Sequence, residues 1–113
     1  MAGDCLFCKI VNGEMNTDFL FENERIAVFR DIHPAAPVHL LVVPKKHIRS
    51  INDIAQSDEA LLGEMISVAK DMAKECGVAA SGYKLLFNVE KGGGQVIFHL
   101  HLHVIGGWKD RKK

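Results

Sequence analysis

Apolar positions change their rhythm along this chain of 113 residues, and the rhythm sets the elements. Within residues 18–31 (DFLFENERIAVFRD) two short apolar segments flank Glu22-Asn23-Glu24, which predicts two strands around a turn. Residues 38–43 (VHLLVV) form an apolar run that Pro44 stops, and Pro34 and Pro37 make the segment before it a fixed, non-helical connection. From about Asp58 to Cys76 the period lengthens. Leu61, Leu62, Met65, Val68, Ala69, Met72 and Cys76 recur at helical spacing as one stripe. Ser57 suits the N-cap, Asp58 and Glu59 suit the positive end of the helix dipole, and Gly77 can take the left-handed position after the last turn. Such a stripe is core material, so Cys76 reads as structural. Residues 83–89 (YKLLFNV) predict another strand, Lys91-Gly92-Gly93-Gly94 a loop, and residues 96–105 a last strand. Strand groups on either side of one long helix predict an α+β domain spanning residues 1–113, with a mainly antiparallel sheet and the helix packed on one face.

Composition narrows the class. Hydrophobic residues make up 48% of the chain, enough for a core without disulfides. The 14 Lys and Arg balance the 14 Asp and Glu, which excludes a globally basic nucleic-acid binder; the run from Lys109 to Lys113 is only a local patch. No apolar run approaches the roughly 18 residues of a membrane span. Asp4 and Lys9 interrupt the apolar stretch near the N-terminus, so no signal peptide is read there. The expectation is a soluble, cytoplasmic protein. Three cysteines, two of them spaced Cys5-x2-Cys8, argue against a disulfide framework in such a chain and leave zinc, redox chemistry or burial.

The histidines carry the chemistry. Residues 98–105 read Phe-His-Leu-His-Leu-His-Val-Ile. In an extended chain His99, His101 and His103 share one face, about 6.6 Å apart, while Leu100, Leu102 and Val104 face the core. Such a row could hold a zinc ion with an open position for water, or present its middle imidazole as a nucleophile. The upstream Gly92, Gly93 and Gly94 favour the second, because a tight glycine turn lets backbone N–H groups converge on an anion.

The stretch from Gly94 to Gly107 (GQVIFHLHLHVIGG) resembles the signature of the histidine triad (HIT) superfamily. Cys5 to Ile10, Phe29 to Ile32 and Pro37 to Ile48 resemble its Hint-type branch of nucleoside phosphoramidate hydrolases, so the likeness runs over about residues 5 to 107. It implies a five-stranded, mainly antiparallel sheet with one long helix and a short N-terminal helix. It also implies a homodimer with the two sheets joined, through part of the residue 58–76 stripe or the strand at 83–89. The implied substrate is a purine nucleotide derivative of AMP, cleaved at the α-phosphorus without a cofactor for catalysis. By position, His101 resembles the nucleophile that forms a nucleotidyl-imidazole, with His39, His99 and His103 around it. Asp31 resembles the carboxylate that receives the ribose hydroxyls. Leu6, Phe7, Ile10, Phe29 and Ile32 resemble the apolar slot for the base. Asn88, Gly94, Gln95 and Val96 resemble the phosphate and leaving-group contacts. Cys5, Cys8, His47 and His99 match the ligands of a structural zinc found in some HIT proteins. Three features depart from the pattern: Val96 stands where several relatives carry Ser, Met15-Asn16 replaces Ile-Pro, and the short basic tail does not align. A dinucleoside polyphosphate hydrolase is the enzymatic alternative; a transferase is disfavoured because His103 is intact. A regulatory or scaffold module that binds nucleotide with little turnover is the other alternative, and Val96 lends it weight.

Overall fold

A computed structural model describes residues 4–108, so the basic run at 109–113 lies outside the described residues. The chain begins with the short helix α1 (Leu6–Val11) and enters a sheet through β1 (Phe21–Glu22), β2 (Ile26–Arg30) and β3 (Val38–Pro44). The long helix α2 (Glu59–Glu75) follows, then β4 (Tyr83–Leu86) and β5 (Leu102–Gly106). All pairings are antiparallel, in the order β1-β2-β3-β5-β4. The five-stranded sheet, the long helix and the short N-terminal helix are those expected.

Alternation decides which side chains meet. Ile26, Val28, Leu40, Val42, Leu102 and Val104 point to one face and pack against Met65, Val68, Ala69 and Met72 of α2. Ala27, Phe29, Leu41 and Val43 point to the other face, where Phe7 and Val11 of α1 cover them. Burial on both faces explains why β2 and β3 read as nearly unbroken apolar runs. Cys76 packs at the edge of the α2 core, as the stripe requires.

Helix α2 ends as the sequence predicts and begins differently. Gly77 takes φ +78, with its N–H bonded to Lys74 O and that of Val78 to Ala73 O, a Schellman closure. At the start, Ser57 does not cap. A 3-10 turn over Gln56–Asp58 precedes the helix, and the Asp58 carboxylate receives the Ala55 N–H at 2.9 Å and Lys46 Nζ at 2.6 Å. Asp58 thus staples the turn to the end of β3, where two partners hold it better than helix amides would.

Two strands are shorter than expected. The 83–89 strand closes at Leu86, and the 96–105 strand is laddered only from Leu102. In the β3–β5 register Val42 faces Leu102, so Leu100 would face Pro44, which has no N–H to give. The backbone finds other partners: Leu100 N bonds Ile48 O at 2.7 Å, and the Gln95 side chain bonds Ile97 O. The face alternation survives, because Leu100 stays in the α2 core. Asn16 adopts φ +51, a conformation open to Asn and closed to Pro, so the Met15-Asn16 departure changes the turn itself.

Candidate active site and metal centre

The α1 face of the sheet holds a cavity of about 370 Å³. One wall is apolar, built by Leu6, Phe7 and Ile10 of α1 and Phe29 of β2; Asp31 and Ile32 follow β2. The far wall carries Asn88, Gly94, Val96, His101 and His103. Every residue expected in a base slot, ribose contact or phosphate contact therefore lines this one cavity, except Gln95. Gln95 is buried beneath the loop, where its amide bonds Arg49 O, Ile97 O and the Glu90 N–H. Thr17, Arg30, His33, Leu41 and Ile97 also line it and were not singled out in the sequence. Leu41 was legible from its parity with His39 on β3; Thr17 carried no signal. Ile32 and Val96 are each 85% exposed at the mouth, so the rim is apolar and open.

Backbone ties set the protonation of the histidines. His101 Nδ1 lies 2.7 Å from His99 O, a carbonyl that can only accept, so Nδ1 carries the proton and Nε2 keeps its lone pair. His39 Nδ1 receives the Ala35 N–H at 3.0 Å, so the His39 proton sits on Nε2. That N–H donates to His103 Nδ1 at 2.9 Å, with Asp31 Oδ2 at 3.4 Å as a second acceptor. A neutral His103 then carries its proton on Nε2, facing the cavity, and the Asn88 amide 3.5 Å away can accept that N–H only by turning its oxygen rather than Nδ2 toward it. Burial lowers the pKa of His101. Burial and the neighbouring His101 and His39 push that of His103 down to about 4. Both rings are neutral near pH 7. The arrangement therefore offers a nucleophilic nitrogen, an N–H donor beside it, a carboxylate and a glycine turn, all at one apolar cleft.

His99 leaves this row for a second constellation. Its Nε2 donates to Pro44 O at 2.7 Å, which leaves the Nδ1 lone pair aimed at Cys5 Sγ (3.2 Å), Cys8 Sγ (3.5 Å) and His47 Nδ1 (3.2 Å). Cys8 Sγ and His47 Nδ1 are 3.3 Å apart. Zn–N near 2.0 Å and Zn–S near 2.3 Å give tetrahedral edges of roughly 3.3–3.8 Å, so the four atoms fit one ion. Two sulfurs and two imidazole nitrogens are a Cys2His2 donor set that suits zinc. Without a cation, burial and the neighbouring Cys5 push the Cys8 thiol up to about 11; an ion between the sulfurs would instead favour the thiolates. Asp31, His39 and His103 also converge, but the Ala35 N–H occupies the His39 lone pair and its Nε2 holds the proton. A metal there would demand an imidazolate, so this trio is a hydrogen-bond relay.

Known proteins resemble this chain over nearly its whole length. The family model described as "Scavenger mRNA decapping enzyme C-term binding" matches residues 4–112. The chain is 39% identical over 107 residues to the purine nucleoside phosphoramidase of Escherichia coli K12, covering 95% of this chain and 90% of that protein. It superposes on a HIT family hydrolase from Legionella pneumophila with TM-score 0.91 and 49% identity, over 94% of this chain and 95% of the other. A zinc-bound histidine triad family protein from Mycobacterium smegmatis superposes with TM-score 0.83 and 30% identity, over 99% of this chain and 81% of the other.

Proposed function

The chain belongs to the histidine triad superfamily, and from that membership we propose that it hydrolyses purine nucleoside phosphoramidates at the α-phosphorus through a nucleotidyl-histidine at His101. The observation that carries the reading is the His101 tautomer: a buried, neutral imidazole with Nδ1–H held by its own strand and Nε2 free toward the cavity. The apolar wall of Leu6, Phe7, Ile10 and Phe29 takes the base between itself and Ile32. Asp31 accepts from the ribose, which places the α-phosphate between the Gly94 turn and the histidines. His101 Nε2 attacks phosphorus and the P–N bond breaks. The amine takes a proton from water at the open mouth, because Val96 has none to give. His103 Nε2–H, backed by His39 and Asp31, donates to a phosphoryl oxygen as charge grows there. It does not surrender its proton, since a neutral imidazole would be left as an anion. Water then attacks phosphorus, the bonding pair returns to Nε2, and the water proton leaves to solvent with the monophosphate.

Cys5, Cys8, His47 and His99 would hold a structural zinc, which supplies cross-linking of α1 to the strand connections and no open position for chemistry. No group at the phosphate end requires a metal. The edge strand β4, with Leu85 half exposed, suits pairing with a second copy into a longer sheet, in keeping with a homodimer. A free thiol at Cys76, with Cys5 and Cys8 reduced as zinc ligands, suits a reducing compartment such as the cytoplasm.

The test is hydrolysis of adenosine 5′-phosphoramidate by the wild-type chain and by His101→Ala, each with and without chelator, with folding checked by circular dichroism. Turnover that survives chelation and drops at least about 10³-fold in the folded variant is expected. Zinc analysis of the same preparation should return about one ion per chain. Tight AMP binding with negligible wild-type turnover would replace this reading with a nucleotide-binding module; activity abolished by chelation while circular dichroism and AMP binding stay unchanged would point to metal catalysis.

A further inference from the structure

The loop that carries Gly94 is anchored by a residue in a costly backbone state. Glu90 adopts φ +61 and ψ 177, a region that side chains other than glycine rarely enter. Strain of this kind persists only where its surroundings over-determine it, and here every polar group of Glu90 is engaged. Its carboxylate Oε2 receives Arg49 Nη1 and the buried Ser50 hydroxyl, both at 2.5 Å. Its N–H donates to Gln95 Oε1 at 2.8 Å. Its carbonyl receives the N–H groups of Gly93 (3.0 Å) and Gln95 (3.1 Å). Gln95 closes the ring by donating to Arg49 O at 2.9 Å. Residues 49–50 and 90–95 are thus one clasp, and the 49–50 segment is itself pinned where Leu100 N meets Ile48 O.

Geometry suggests what the clasp is for. Gly94, at φ +85, lines the same cavity as His101 and His103 and lies next to the Asn88 side chain, so its backbone is the part of the loop that an anion would meet. We infer that Glu90 is a positioning residue: through Arg49, Ser50 and Gln95 it fixes the Gly94 turn against the histidines for the transferring phosphoryl group. The inference rests on the hydrolase reading for its kinetic consequence and on the clasp alone for its structural one. Misplacing a charge-stabilising turn by about an ångström costs rate more than binding.

Three variants of the full chain separate the parts. Glu90→Ala removes the carboxylate, Glu90→Gly removes it together with the backbone strain, and Glu90→Gln keeps a neutral acceptor for Arg49 and Ser50. For adenosine 5′-phosphoramidate, the Ala and Gly variants should lose roughly 10²-fold in kcat with KM changed less than about threefold, while Gln stays within about threefold of wild type. Amide exchange at Gly93 and Gln95 should accelerate in Ala and Gly, with the β3 and β5 amides as protected as before. An unchanged kcat in Glu90→Ala, or a loss that appears only with global loss of protection, overturns the inference. If the wild type binds AMP without turning it over, the hydrolase reading fails separately. AMP affinity and local exchange then decide: weaker binding with faster exchange at 93 and 95 sustains the clasp, and unchanged exchange overturns it.

Discussion

Three histidines of the site each have one ring nitrogen tied to the backbone, through Pro44 O, His99 O and the Ala35 N–H, and the last of these ties, on His39, decides the proton of the fourth. The consequence is directional. His39 can only donate to His103, and His103 can only donate outward. Nitrogen-15 NMR of the resting protein at pH 7 should therefore show His101 protonated at Nδ1 and His39 and His103 at Nε2. A His39 ring protonated at Nδ1 would reverse the relay and remove the outward donor. Little of this was legible in the chain. Period-two alternation predicts that His99, His101 and His103 share a face, and they do. It is silent on Ala35, four residues before His39, whose N–H reaches that ring. It is equally silent on the division of labour along the row, where His99 turns to the cysteines and His101 to the cavity. That division comes from what lies opposite: Phe7 packs edge-on against both rings, and the sulfurs flank one of them.

At the scale of elements, termini followed rules that act locally and missed those that act across space. Gly77 was legible because a left-handed residue after an apolar stripe has one common use. The start of α2 was not, because Asp58 is claimed by Lys46, twelve residues earlier in sequence and adjacent only in the fold. The length of β5 depended in the same way on Pro44 in the neighbouring strand. The Gly77 closure makes a sharp prediction. Gly77→Ala meets no steric neighbour, so its whole effect is the left-handed backbone at φ +78. It should destabilise the chain by about 1 kcal/mol and lower Tm by roughly 4–8 °C, with the phosphoramidate rate at 25 °C unchanged. Gly63→Ala, inside α2 with nothing within 4 Å, should move Tm the other way. Thermal unfolding of both variants checks the pair; equal shifts would mean that space, not conformation, governs these sites.

For the molecule as a whole, the sheet buried on two faces has one consequence that no single element shows. One face is sealed by α2 with apolar side chains throughout, whereas the other buries titratable rings beneath α1. Acid should therefore unfold the protein in two windows. Burial holds His103 at about 4 against an ordinary imidazole value near 6.5. The unfolded chain binds that proton first, so the stability tied to the neutral ring is complete above pH 6.5. It falls away as pH drops toward 4. The carboxylates act lower. Hydrogen bonds from Lys46, Arg25 and Arg49 hold Asp58, Glu64 and Glu90 below their ordinary values. Their contribution is present above about pH 4.5 and is lost as pH falls through the depressed folded values. Denaturant unfolding from pH 7.5 to 3 should thus show a first decline between 6.5 and 4.5 and a steeper one below. His103→Gln, which cannot take up charge, should make the first window shallower, with His99 and His101 still contributing, and leave the second; Asp58→Asn should make the second shallower, with Glu64 and Glu90 still contributing, and leave the first. If the His103→Gln curve runs parallel to wild type from pH 7 to 4.5, the ring is not held neutral by its burial, and the resting protonation of the relay has to be reassigned.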